Sequence, residues 1–218
     1  MSMDDFIKMK GSGNITFDAD MAAVNKIYQD LEGKQAIFIK ETGIHCPAGC
    51  GDCCTRFEPD ILPVEAEFLA MQMLQKEGVD PAAEIVRMEN LSEQFSQGVC
   101  PMQQYNVALS VTTERAAIAP AIAGACTVYS GRPLVCRIFG FASYADKTGN
   151  PVYVPCKLMT QTEESLQGTS KILAPIATAY GTRMESLRPQ DAVQRLFLRK
   201  ALVRAFQKIG MMFSFKES

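Results

Sequence analysis

Cys46-Pro47-Ala48-Gly49-Cys50-Gly51-Asp52-Cys53-Cys54 gathers four thiols into nine residues. Thiolates this close repel one another unless protons, disulfides or a metal intervene. Gaps of three and two residues let three of the sulfurs converge on one point, as a tetrahedral metal or a cubane cluster requires. The glycines and the proline mark the run as a loop. The chain is therefore expected to be a metalloprotein built around this loop.

Helical stripes flank the run on both sides. Upstream, Phe17, Met21, Val24, Tyr28 and Leu31 step by four, three, four and three, which predicts a helix capped by Asp18 and ending near Leu31. Gly33 is expected to interrupt it, leaving 36–39 as a short apolar segment of open type. Downstream, Asp60 and Pro63 open a helix whose face carries Ile61, Val64, Phe68, Met71 and Leu74, with Gly78 as its stop. Asp80 and Pro81 then read as N-cap and first helical residue of another, striped by Ile85, Met88, Leu91 and Phe95. These two helices are expected to pack on each other as an antiparallel hairpin. The methionines read as core filler. Residues 106–113 alternate in part, and 114–123 look helical until Pro120.

Further on, Ser130-Gly131 marks a turn and Pro133 starts a short helix carrying Cys136. Lys147 to Pro151 is a turn, and Val152-Tyr153-Val154 a brief strand leading to Cys156. Ser170 to Tyr180 is expected to be helical. Pro189 is expected to start a longer helix, with Val193, Leu198, Leu202, Phe206 and Ile209 inward and Arg195, Arg199, Lys200, Arg204 and Lys208 mostly outward. The fold class is mainly α: a compact helical domain with Cys-rich loops around a metal site and at most a small β-hairpin. The expected organisation is a flexible arm at 1–16, a cysteine-cluster domain at 17–160 and a helical extension at 161–218 packed on it.

The 218 residues carry a net charge of −2 and are 47% hydrophobic, enough for a sizeable core and without the basic footprint of a nucleic-acid or anionic-membrane binder. The acidic start is no signal peptide, and no run approaches a membrane span. A cytoplasmic protein is expected, acting on or with an unidentified protein partner or substrate. In that compartment thiols stay reduced, which favours metal over a disulfide framework.

Four more cysteines, Cys100, Cys126, Cys136 and Cys156, bring the count to eight. Cys46, Cys50, Cys53 and Cys54 are expected to include most ligands of a first metal site, with Cys126, Cys136 and Cys156 next. Eight thiols exceed the four of one site, and the vicinal pair does not readily aim both sulfurs at one ion. A second metal, reserve thiols or buried small hydrophobes all remain open. Arg132 and Arg137 flank Cys136 and are candidate cofactor-binding residues, because a guanidinium lowers a neighbouring thiol pKa and keeps it a ligand. His45, the single histidine, is open between metal ligand and proton shuttle.

The order Cys46, Cys50, Cys53, Cys54, then Pro63-Val64-Glu65-Ala66-Glu67, Cys100-Pro101, Cys126-Thr127-Val128-Tyr129-Ser130-Gly131-Arg132-Pro133-Leu134-Val135-Cys136-Arg137-Ile138-Phe139 and Cys156 resembles the cysteine-cluster (CxxCxxCC) family of zinc- or iron-chelating proteins. The resemblance covers about residues 44–160. It implies an iron or zinc site and relates the chain to a domain in flagellin lysine methylases, for which an iron–sulfur cluster is the implied cofactor. It fixes no activity, so whether the chain is an enzyme stays open. The interval from Cys100 to Cys126 is longer than the family's usual link, which ranks Cys100 last among the ligands.

Four thiolates give a net −2 on either Zn²⁺ or a [4Fe–4S]²⁺ cluster, so charge does not separate the metals. Zinc sites commonly use two well-separated knuckles. One dense run with scattered distal cysteines suits a cubane held by a loop, and [4Fe–4S] is favoured over zinc. The expected function is electron transfer or a modification reaction such as methyl transfer; the alternative is a zinc-stabilised, non-enzymatic binding module. The triplet Cys46, Cys50, Cys53 also equals the radical-SAM spacing, but helices rather than repeated βα units follow it, and Asp52 stands where an aromatic is common. Gly11-Ser12-Gly13 lacks the strand and third glycine of a dinucleotide loop. Glu65 and Glu67 suit a helix dipole and carry no expected catalysis.

Overall fold

The computed structural model of the chain describes residues 14–47, 50–76, 79–94, 100–102, 126, 128–159 and 173–214. The first thirteen residues of the expected arm, Gly78, the stripe position Phe95, the stretches 106–113 and 114–123, and all of 160–172 lie outside them.

Asn14, not Asp18, caps the first helix, its Oδ1 accepting from the Phe17 amide at 3.1 Å. Helix α1 runs Ile15–Thr42, well past the break expected at Gly33. A mid-helix glycine costs about 1 kcal/mol against alanine. The buried stripe outweighs that, continuing from Leu31 through Gln35 and Phe38 to Thr42. Asp18 sits instead in the first turn, where its charge suits the dipole. The helix ends at Gly43, whose φ of 69° is left-handed and whose amide donates to the Ile39 carbonyl at 2.8 Å; glycine adopts this conformation without a Cβ penalty.

After the cysteine loop come a short helix α2 (Asp52–Arg56), strand β1 (Asp60–Ile61), helix α3 (Pro63–Leu74) and helix α4 (Pro81–Gln94). Asp80 caps α4 through a 2.9 Å bond from the Ala83 amide. The expected α3–α4 hairpin is corrected. The two helices barely touch, and each packs on the C-terminal helix α7 (Leu198–Ser214). Their stripes and that of α7 meet in one core holding Met71, Met88, Leu202, Phe206 and Ile209.

A short helix α5 (Leu134–Ile138), the hairpin β2 (Ser143–Ala145) and β3 (Pro151–Tyr153), and helix α6 (Ala177–Glu185) complete the middle of the chain. α6 starts later than the expected 170. Residues 173–175 are not helical, Ile176 is extended, and the Ser143 amide donates to the Pro175 carbonyl at 2.9 Å. Pro189 opens only a 3-10 turn. The chain then forms β4 (Leu196–Phe197), antiparallel to β1, before α7 begins. Val193, expected inward, is 92% exposed, and Arg199, expected outward, is buried against Glu58 and the Leu91 carbonyl. Two antiparallel strand pairs are the sheet structure among the described residues, so the architecture is mainly helical.

A second, smaller core gathers Phe38, Ile44, Met159 and Ala174, with Phe141, Tyr153 and Cys156 against it. The Phe38 and Tyr153 rings are 5.0 Å apart. Behind the main core, Arg188 bridges Asp20 at 2.6 Å and buried Glu67 at 2.8 Å, and Lys208 reaches Glu67 at 2.7 Å. This network joins α1, α3 and α7, and removing one partner strands a buried charge. No described helix is long and apolar enough to cross a membrane.

Candidate metal centre

The ends of α1, α2, α5 and β3 surround a cavity of about 300 Å³, and all eight cysteines line it. Its remaining wall is largely apolar, including Leu69, Met102, Val128, Phe141 and Met159. All eight thiols are free.

Each sulfur is placed by local backbone structure. Cys46 and Cys50 follow the glycine cap of α1, and the Cys50 amide closes a turn on the Pro47 carbonyl at 3.0 Å. Cys53 and Cys54 are consecutive on α2, their sulfurs 4.0 Å apart. Cys100 is buried, and its amide donates to the Cys54 carbonyl at 2.8 Å. Cys136 rides on α5. Cys156 follows β3 and accepts the Met159 amide at 3.1 Å. Gly140 lets that last segment approach. Its φ is +76°, and a Cβ there would stand 2.7 Å from Met159 Cε and 3.1 Å from Cys156 Cβ.

A buried clasp holds α5. The Glu65 carboxylate accepts the Leu134 amide at 2.7 Å, the Tyr28 hydroxyl at 3.0 Å and the Leu62 amide at 3.2 Å. Burial raises the Glu65 pKa against the effect of these donors, and burial followed by the Glu65 charge raises that of Tyr28. Tyr28 thus stays a hydrogen-bond donor. Gln35 adds a 2.8 Å bond to the Arg137 carbonyl. Sequence reasoning missed Glu65, Tyr28 and Gln35 as positioning residues. The available signal was a carboxylate three residues into a helix opened by proline, and it was read only as a dipole partner.

The two candidate arginines part company. Arg137 is buried with its guanidinium on the Tyr28 ring, 3.9 Å to the centroid. It pairs with Glu32, donates to the Ser130 carbonyl, and donates through Nε to the Arg132 carbonyl at 2.7 Å. Arg137 is not among the residues lining the cavity, whereas Arg132 is. Arg132 stacks on Tyr129 at 3.8 Å, and its buried Nε–H has no hydrogen-bond partner among the described residues. His45 is exposed, with Nδ1 2.9 Å from the Gly43 carbonyl, and does not line the cavity.

Five of the thiols, Cys46, Cys53, Cys54, Cys126 and Cys136, hold their protons tightly. Burial, then the Cys50 charge, pushes Cys46 up to about 11. A hydrogen bond with Cys100 is the leading cause that takes Cys54 to about 12. The Cys54 hydrogen bond raises Cys53, and burial raises Cys126 and Cys136. Mutual repulsion and desolvation thus keep protons where a cation would otherwise sit. Among the described residues no three Cys, His, Asp or Glu side chains stand close enough to hold a single ion, so the sulfurs ring a space rather than a point.

This donor set fits a thiophilic metal: eight soft ligands, a largely apolar surround and one arginine, Arg132, in the lining. The comparisons agree. A family model described as "CxxCxxCC: Putative zinc- or iron-chelating domain" matches residues 45–157, just over half of the chain and the whole span of its cysteines. The chain belongs to the CxxCxxCC family. No curated protein and no solved structure matches it. Membership in the CxxCxxCC family supports metal binding and fits zinc or iron alike.

Proposed function

We propose that this CxxCxxCC protein holds a [4Fe–4S] cluster on the 46–54 loop together with distal cysteines, and acts in electron transfer or in a modification reaction such as methyl transfer. The convergence of eight free thiols on one cavity of about 300 Å³ carries the reading. A single tetrahedral ion leaves most of such a space unfilled, since even a water molecule accounts for only about 30 Å³. The thiols of Cys46, Cys50, Cys53 and Cys54 face the cavity with those of Cys126, Cys136 and Cys156. Four of these seven would hold the cluster once deprotonated, and loading therefore releases protons.

When bound, the cluster supplies a one-electron redox couple. The chain's own residues set its surroundings. Arg132 offers a positive charge and an Nε–H with no partner among the described residues, both of which would stabilise an anionic centre. The apolar wall limits water. The Glu65 clasp and the Arg137 pin fix the helix that carries Cys136. Anaerobic purification followed by iron, sulfide and zinc analysis tests the reading. Brown protein containing iron and acid-labile sulfide in equal amounts supports it; colourless protein holding only zinc overturns it in favour of a zinc-stabilised binding module.

A further inference from the structure

We propose that the groove between α4 and α7 docks an acidic segment of a partner protein, the one that exchanges electrons with the cysteine centre or is modified there. The partner's role rests on the function proposed above; the docking itself needs no metal.

The chain as a whole carries a net charge of −2, yet the stretch 192–214 holds Arg195, Arg199, Lys200, Arg204 and Lys208 and no acidic residue. Three of these cations are answered by carboxylates. Arg195 meets Glu185 at 3.0 Å, Arg199 meets Glu58 at 3.7 Å and Lys208 meets Glu67 at 2.7 Å. Lys200 and Arg204 are exposed and have no carboxylate partner among the described residues. Lys200, Val203, Arg204 and Gln207 are spaced as i, i+3, i+4 and i+7, which is one face of a helix. That face lines a groove of about 300 Å³ together with Arg199 and, from α4, Met88 and Glu89. Met88 is buried and Val203 half-buried, so the floor is apolar and the rim cationic. Arg199 also donates to the Leu91 carbonyl at 3.3 Å, which holds the rim in place. Glu89 is the one carboxylate among the lining residues, against three cations. A segment that presents carboxylates around an apolar side chain complements both floor and rim.

The groove begins where the cysteine cavity ends. Leu198, the first residue of α7, lines the cavity, and the next two residues line the groove. The near end of a docked segment therefore stands within one helical turn of the cavity wall. The occupant is a protein rather than a lipid surface or a nucleic acid. Leu202, Phe206 and Ile209 of α7 are buried in the core, which takes the apolar face of this helix away from a bilayer. Lys200 and Arg204 are fewer cations than the run of phosphate contacts that holds a nucleic acid.

The test is fluorescence anisotropy of a labelled, glutamate-rich peptide with interspersed leucines, titrated with the 218-residue chain. Binding is expected at low salt and should be lost near 1 M salt, where charges act over only about 3 Å. Lys200→Glu with Arg204→Glu should weaken it by about tenfold, because each reversal turns an attraction into a repulsion. Lys26→Glu with Lys147→Glu makes the same change in net charge at exposed positions elsewhere, and should leave affinity within about twofold because screening removes distant charges. Far-UV circular dichroism checks folding, and Lys200→Gln with Arg204→Gln replaces the reversal if that variant unfolds. A second arm uses anaerobically loaded protein and an acidic ferredoxin as electron donor. The reversal should slow reduction by the ferredoxin and leave reduction by methyl viologen unchanged. Peptide binding that ignores salt, an equal loss in the control pair, or tighter binding of a single-stranded oligonucleotide or an anionic vesicle overturns the proposal. Ferredoxin reduction unaffected by the reversal overturns the partner's role. Peptide binding by a chain that holds no iron supports the docking site and sinks only the cluster reading.

Discussion

The amide of Leu134 donates to the buried carboxylate of Glu65 across 2.7 Å, and through that bond the helix bearing Cys136 is fastened to α3. The same carboxylate takes the Tyr28 hydroxyl at 3.0 Å from α1. One side chain thus joins the helical core to the wall of the cysteine cavity.

Replacing Glu65 with alanine leaves the Leu134 and Leu62 amides and the Tyr28 hydroxyl without their shared acceptor. An unsatisfied buried group costs about 1–3 kcal/mol, so a loss of roughly 2–4 kcal/mol is expected in urea denaturation of the metal-free protein, with weaker metal retention. Glu65→Gln keeps one acceptor oxygen and turns an amide group toward the Leu62 N–H, a smaller loss. The pH dependence has a definite sign. Burial raises the folded-state pKa of Glu65, so the folded state holds this proton more tightly than the unfolded chain does. The stability of wild type relative to Glu65→Gln should therefore fall as pH rises from the ordinary glutamate value through the raised one. A difference that grows with pH contradicts the assignment.

Arg137 and Arg132 should separate fold from site. Arg137→Lys loses the planar fork that serves Glu32 and two backbone carbonyls, and a drop of about 2–4 kcal/mol is expected on chemical denaturation. Arg132→Gln should change stability little. With iron bound, losing the positive charge makes adding an electron harder, so spectroelectrochemistry should show a more negative reduction potential.

Metal-free protein should be slow to react with iodoacetamide at pH 8 at Cys46, Cys54 and Cys136, compared with the same protein in denaturant, because the folded state raises these thiol pKa values and the thiolate is the nucleophile. The stability these groups contribute is complete below the unfolded thiol value near 8.5. It is lost as pH climbs through about 11 to 12, where Cys46 and Cys54 ionise in the fold. Urea midpoints measured from pH 8 upward should fall; a rise contradicts the sign.

Gly140→Ala forces a left-handed alanine against Met159 and Cys156. Backbone strain of about 1–2 kcal/mol adds to the clash, so a larger destabilisation is expected than for Gly149→Ala, where φ is +87° but nothing lies within 4 Å. Comparison of the two by thermal melts isolates the steric part, and metal retention should suffer only at Gly140.

The sequence made the stripe of α1, the cap of α4 and the short helix under Cys136 legible, because each is local. It misplaced what depends on partners far along the chain. Gly33 looked like a break, but burial of Gln35 and Phe38 against residues more than a hundred positions away holds the helix through it. The α3–α4 hairpin looked natural until α7 supplied a larger apolar face for both. At the site, cysteine spacing announced the metal, and the eight candidate ligands do share one cavity. Arg137 could not be told from Arg132 by sequence, since both flank Cys136; only the fold shows one guanidinium on Tyr28 and the other lining the cavity. Glu65 was read from its own helix alone, and its acceptor role depends on Tyr28 and Leu134.

X-ray absorption at the metal edge, taken on the anaerobically purified 218-residue chain, tests the central claim most directly. Iron with a sulfur first shell and a resolved iron–iron distance is the result this account predicts. Iron or zinc surrounded by nitrogen and oxygen, with no sulfur shell, would contradict it.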